Sequence, residues 1–213
     1  MALIRLRRAA LLGTFVAVAV SFSGCEEHAP RGADVCAEAV TKNRWCDARN
    51  VGFVAGVPIQ SRLLFDALDA HGHELNLRAF TCPGCVEAIR TGGFCDKCRI
   101  GWVDGMAYFS RLTYHLARGR VVIAADHRCP ACRDASGPTH WCDVCKRGVV
   151  GNTIFENRAD FLGARRGFEL MLTADEASRR CETCALAILA NDSCFFCKVA
   201  YLDGKPVATA RRN

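Results

Sequence analysis

Twelve of the 15 cysteines in this chain fall into three groups of four with one spacing. Cys82, Cys85, Cys95 and Cys98 read C-x(2)-C-x(9)-C-x(2)-C, as do Cys129, Cys132, Cys142 and Cys145, and then Cys181, Cys184, Cys194 and Cys197. Each C-x-x-C knuckle offers two sulfurs from one tight turn, so two knuckles a short segment apart supply the four thiolates of a tetrahedral metal site. The chain therefore reads as a string of small modules, each stapled by a metal ion.

The repeat extends beyond the cysteines. Cys85, Cys132 and Cys184 stand 47 and 52 residues apart, and 49 residues before Cys85 stands Cys36. Cys46 matches Cys95, Cys142 and Cys194, whereas Ala33 and Arg49 occupy the outer ligand positions. The expected organisation is a degenerate repeat over 33–80 with two cysteines, then full repeats over 81–127, 128–180 and 181–213. Trp45, Phe94 and Trp141 precede the third cysteine position, and Asp47, Asp96 and Asp143 follow it. The aspartates are expected to bond knuckle amides.

Segments such as Gly101-Trp102-Val103-Asp104-Gly105 come next and read as tight β-hairpins. Asn152 replaces the turn glycine in the third repeat, as a residue tolerant of positive φ. Ser61, Ser110 and Asn157 then stand where helix N-caps belong, and Gly72 and Gly119 where helices can stop. The third helix either runs past Gly167 or restarts at Thr173, where Glu176 completes a capping box. The fourth repeat ends after its hairpin.

The predicted fold class is small α+β metal-stabilised repeats, four in tandem. Each is a two-knuckle unit with a short inter-knuckle loop, a β-hairpin and a following helix. The pattern over residues 33–213 resembles the zinc-ribbon group of folds. Units of roughly 50 residues hold too little core to fold alone, and metal supplies the missing stability.

A closed set of four thiolates implies structural zinc at three sites. Iron accepts the same ligands. Disulfides across the knuckles are the rival in an exported protein. Haem attachment is excluded by the residue after each C-x-x-C, which is Val86, Arg99, Arg133, Lys146, Ala185 or Lys198 and never His. Cys82-Pro83-Gly84-Cys85 and Cys129-Pro130-Ala131-Cys132 look like redox pairs, but alternating strands and helices of a thioredoxin context are missing. His71-Gly72-His73 falls at a helix end, where a solvated turn is the simpler reading and metal binding the other. His115 lies in a helix, and His28, His127 and His140 in loops. No Ser-His-Asp set, phosphate-binding glycine loop or paired carboxylate motif stands out, so no catalytic residue is assigned.

Residues 1–24 read as a signal. Arg5, Arg7 and Arg8 precede the apolar stretch from Ala9 to Phe22, too short to span a bilayer comfortably. Phe22-Ser23-Gly24-Cys25 resembles the lipobox of bacterial lipoproteins, with Phe where Leu is usual. That resemblance implies lipidation at Cys25, a tether over 25–32 and a membrane anchor facing the periplasm or exterior. Arg7-Arg8 also resembles a weak twin-arginine signal, a route that exports folded, metal-loaded protein. The formal charge of +6 comes from 28 basic and 22 acidic residues. Without the three signal arginines it is +3, and three divalent ions on twelve thiolates bring it to about −3. There is no clustered basic face of the kind nucleic acid requires.

The expected role is a non-enzymatic scaffold or binding protein at the bacterial envelope, with an unidentified protein partner reached through exposed aromatics such as Trp102 or Tyr201. Periplasmic metal or thiol handling is the first alternative. A cytoplasmic nucleic-acid-binding zinc ribbon follows if the signal is misread. Cys36 and Cys46 take two positions of a lost tetrahedral site, about 4 Å apart, and are expected to form a disulfide. A free-thiol count on metal-stripped, unreduced protein should find neither of them reactive; finding both free overturns the assignment.

Overall fold

The computed structural model describes residues 35–122, 129–133 and 137–207. The signal, Cys25 and the tether lie outside the described residues, as do His28 and His127. Among the described residues no helix is long and apolar enough to cross a membrane.

The first module runs α1 (Ala37–Lys42), β1 (Trp45–Cys46), β2 (Val51–Val54), β3 (Val57–Ile59) and α2 (Arg62–Leu68). The second runs α3 (Pro83–Thr91), β4 (Phe94–Cys95), β5 (Ile100–Val103), β6 (Met106–Tyr108) and α4 (Arg111–Ala117), followed by the short strand β7 (Arg120–Val121). The third runs α5 (Pro130–Arg133), β8 (Thr139–Cys142), β9 (Arg147–Val150), β10 (Thr153–Phe155) and α6 (Arg158–Ser178). The last runs α7 (Glu182–Ala190), β11 (Ser193–Cys194), β12 (Val199–Leu202) and β13 (Lys205–Val207). Each module builds its own antiparallel sheet, and β7 crosses over to pair with β10 of the third. His140 therefore lies in a strand, not a loop.

The segment between knuckles is a helix, not the loop expected. Cys82 and Cys181 are the N-cap residues of α3 and α7, and Cys36 holds that place in α1. Pro83 sits at the start of α3, where its missing N–H costs nothing. Asn43, Gly92 and Asn191 end the three helices in the left-handed conformation, which Gly and Asn adopt most readily.

All four hairpins close through two-residue turns, at Ala55-Gly56, Asp104-Gly105, Gly151-Asn152 and Asp203-Gly204. In the third turn the positive φ of 55° falls on Gly151. Asn152 serves another purpose: its N–H donates to the Ala55 carbonyl at 2.9 Å and its side-chain amide to the Val40 carbonyl at 3.1 Å. It docks the third module onto the first.

Ser61, Ser110 and Asn157 cap α2, α4 and α6, accepting backbone N–H bonds from Leu64 and Thr113 at 3.1 Å and from Ala159 at 2.7 Å. Asp69, three residues before Gly72, takes the left-handed cap of α2, and Gly119 donates its N–H to Leu116 at the end of α4. Helix α6 runs unbroken past both Gly167 and Thr173.

One packing motif repeats with the chain. An ideal Cβ on Gly52, Gly101 or Gly148 would lie 2.2–2.3 Å from the ring of Phe65, Tyr114 or Phe161, the aromatic on the following helix. The same rings meet Trp45, Phe94 and Trp141 at centroid separations of 5.4–5.5 Å. Arg62, Arg111 and Arg158 cover those outer aromatics at 4.5–5.5 Å, at cation–π distance. Guanidinium, aromatic, aromatic and bare backbone thus stack in one column per module. Among the described residues no helix follows the last module, and it carries Ser193 and Ala200 where the column needs an aromatic and a glycine.

The modules are not strung in a line. A single apolar cluster joins Val54, Leu64 and Leu68 of the first module to Phe155, Phe168 and Met171 of the third and Ala185 and Ile188 of the fourth. Helix α6 supplies its spine through Phe161, Ala164, Phe168, Met171 and Ala174, a buried stripe at helical spacing. Gly163 and Gly167 let α4 approach: a Cβ there would meet His115 at 2.4 Å and Leu112 at 2.7 Å. The second module adds Leu112 and Leu116 of α4 to that cluster and also keeps a small core of its own around Trp102, which is 1% exposed. Trp102 is thus interior and no contact surface for a partner.

Changing Gly148→Val should cost about 1–3 kcal/mol in urea unfolding, because the new side chain must displace the Phe161 ring. An unchanged midpoint would show that the column yields freely.

Candidate metal centres

Four sulfurs converge in three places. In each quartet, Cys82/85/95/98, Cys129/132/142/145 and Cys181/184/194/197, all sulfurs lie within 4.8 Å of one another. The first and third cysteines stand 3.9, 3.8 and 3.8 Å apart in the three sites, and Cys132 lies 3.4 Å from Cys145. A tetrahedral zinc with bonds of about 2.3 Å sets sulfurs roughly 3.8 Å apart. The quartets match that edge and are far from disulfide contact, near 2 Å. The donor set and spacing fit a four-thiolate ion such as zinc.

The local fold brings the sulfurs together. The first knuckle opens a helix, so its cysteines sit on the first helical turn. The second knuckle follows a two-residue strand, β4 or β11, that pairs with the hairpin. An ion here ties a helix N-terminus to a sheet. Cys85, Cys95, Cys142, Cys184 and Cys194 are buried, whereas Cys98 and Cys197 lie at the exposed edge.

The backbone prepares some sulfurs for ionisation. Cys82 is pulled down to about 7, first by the Cys85 N–H, and Cys142 and Cys194 to about 7, first by the N–H groups of Cys145 and Cys197. The Cys197 N–H lies 3.4 Å from the Cys194 sulfur. Their neighbours move the other way. Burial, reinforced by the surrounding sulfurs, pushes Cys85 and Cys132 up, and the sulfurs of Cys184, Cys181 and Cys194 raise Cys197 to about 12. Without a cation the quartets cannot ionise together.

Arg99, Lys146 and Lys198, the residues after the fourth ligand, adopt φ of 57°, 53° and 57°. This conformation is costly for residues other than glycine and asparagine, by roughly 1–2 kcal/mol. At the matching place in the first module stands Asn50, with φ of 49°. That module has no quartet, and Cys36 and Cys46 are joined by a disulfide with Cα atoms 5.5 Å apart. Four-cysteine units therefore number three, not four.

The recurring aspartates do not serve the knuckles through their side chains. Asp96 pairs with Arg111 and Asp143 lies 3.5 Å from Lys146. Sequence reasoning missed a further donor group at Asp69, His71 and His73, where the helix end brings a carboxylate beside the two histidines. The His-x-His spacing marked two of its members; Asp69 carried no signal.

No family model, curated protein or solved structure matches the chain. The chemistry of the site rests on its own geometry.

Loading apo protein with zinc at neutral pH should release between about three and four protons per ion, since one sulfur per quartet is lowered to about 7 and the others bind as thiols that must ionise. Zinc affinity should fall steeply as pH drops below 7, because protons then compete for every sulfur. Titration in weak and strong buffers by calorimetry reads the number directly; a release near zero would show that the sulfurs are not the ligands.

Proposed function

We propose that this chain is an exported, lipid-anchored envelope protein whose three thiolate quartets hold structural zinc and whose folded part is a non-enzymatic binding scaffold. The observation that supports it most is where the quartets sit. Each clamps a helix start to a hairpin, and all four ligand positions are taken by protein, so no position is left for a substrate. Such an ion holds shape.

A scaffold needs a contact surface. Phe195 and Phe196, between the last two ligands of the final quartet, are 71% and 73% exposed. The corresponding pairs are Asp96-Lys97 and Asp143-Val144. Two adjacent bare rings on a rigid knuckle make an anchor for a protein partner, with Lys198 4.0 Å from the Phe195 ring centroid. Tyr201 is partly buried against the fourth module's core and contributes less.

A second reading, metal or thiol handling, draws on the sulfurs held near pH 7 and the exposed edges at Cys98 and Cys197. Zinc exchange separates the two. Structural sites should keep their ions for hours against a competing chelator, and handling sites should give them up within minutes.

Cells fed labelled palmitate should incorporate it into the wild-type chain and not into Cys25→Ala, with the wild type in the membrane fraction. A soluble, unlabelled wild type would defeat the anchoring half of the proposal. The double change Phe195→Ser with Phe196→Ser should leave three zinc ions and the unfolding midpoint in place while abolishing cross-linking to the partner in the envelope. Unchanged cross-linking would remove the knuckle as the contact.

A further inference from the structure

A fourth group of ligating side chains lies apart from the quartets. The carboxylate of Asp69 and the imidazoles of His71 and His73 bring three donor atoms within 4.8 Å of one another. His73 Nε2 is 2.8 and 2.9 Å from the two Asp69 oxygens, and His71 Nδ1 is 3.5 Å from Oδ1. The two rings stand with centroids 4.6 Å apart. We propose that Asp69, His71 and His73 form a fourth metal site, a nitrogen–oxygen site for a borderline divalent ion of the zinc type, with its remaining coordination position open to solvent.

The distances suit the ion. Zinc bonds of about 2.0–2.1 Å to nitrogen and oxygen put donors roughly 3.3–3.4 Å apart around a tetrahedron. The observed 2.8 and 3.5 Å bracket that edge, so small side-chain rotations complete the site. Imidazole and carboxylate together select the later first-row divalent ions and zinc.

The site is also preorganised, and by elements from two modules. Asp69 is fixed as the left-handed cap of α2, with φ of 47° and ψ of 57°. His73 is fixed by β6 of the second module: it exchanges two backbone hydrogen bonds with Ala107, both 2.9 Å. Phe109 packs against the His73 ring at a centroid distance of 5.0 Å. Between the two histidines only glycine fits, because a Cβ on Gly72 would lie 2.8 Å from the Tyr108 hydroxyl and 2.9 Å from Met106 Cβ. The close approach brings the His-Gly-His turn down on the sheet and holds both rings over Asp69.

An ion pair at a helix end needs one imidazole. Here a second ring is directed at the same carboxylate although its side chain stays 61% exposed and gains little burial. Two rings on one oxygen pair is the arrangement a cation organises. Exposure also sets the behaviour. Asp69 and His73 side chains are 24% and 31% exposed, so the ion is reached from solvent and exchanges, unlike an ion enclosed by four thiolates. Bound, it would bridge the end of α2 to β6 and link the first module to the second.

The test is a zinc titration of the full processed chain, already saturated at its cysteine sites, read by native mass spectrometry. Wild type should take one ion more than His71→Ala measured alongside it. The comparison is a difference, so it holds whatever the quartets carry. His71 is on the surface, so its removal leaves the fold intact, and His73→Gln serves as the second variant. Each should weaken the extra ion by about tenfold or more. Asp66→Asn, one turn earlier on α2 and paired with Arg62, should retain it. Imidazole resonances of both histidines should shift together on binding. The proposal is overturned if wild type takes no additional ion up to about 100 µM free zinc. It is equally overturned if His71→Ala and His73→Gln keep the ion undiminished.

Discussion

Four sulfurs held within 4.8 Å of one another cannot all be anions unless a cation stands between them. That mutual repulsion is the constraint on which the fold turns. Backbone N–H groups ease one sulfur in each quartet toward ionisation, and burial and crowding hold others back. A divalent ion resolves the conflict in all four at once. It also fixes a helix start against a hairpin, which modules of this size could not achieve through apolar burial alone. The left-handed Arg99, Lys146 and Lys198 fit the same account: backbone strain is tolerated where a strong local clamp over-determines the turn.

The column of arginine, two aromatics and glycine is the second device, and it is independent of metal. It survives intact in the first module, where the quartet is gone and a disulfide takes over. It is missing from the last module, where the quartet is present. The two devices secure opposite edges of the hairpin, one toward the preceding helix and one toward the following helix. A module can lose either and remain folded within the whole, because α6 draws side chains of all four modules into one apolar cluster, Leu112 and Leu116 of α4 included.

Much of this was legible because it is local. Cysteine spacing, two-residue turns and the Ser61, Ser110 and Asn157 caps are read within a few residues. The inter-knuckle helices were not legible, because nine residues between cysteines hold little hydrophobic periodicity and Pro83 reads equally as knuckle or helix start. The shared core was hidden for a different reason. Phe168 and Met171 show that α6 has an apolar stripe, but nothing in the chain states that Leu64 and Ile188, far away in sequence, meet it. Asn152 was misjudged in the same way: its turn position explained its presence locally, while its side chain reaches Val40. Trp102 looked like a surface aromatic only because the second module's private core is assembled from loop residues such as Leu75 and Phe80.

Among the described residues one disulfide stands beside three cysteine quartets. Cys36 and Cys46 are joined, while the quartet sulfurs stand well beyond disulfide contact. An oxidant able to couple the first pair would couple unprotected quartets as well, and a thiolate is its preferred target. An ion bound in a quartet would occupy its thiolates and shield them, so metal loading and oxidation would compete for the same sulfurs. The first module, which lacks the outer sulfurs, stands outside that competition.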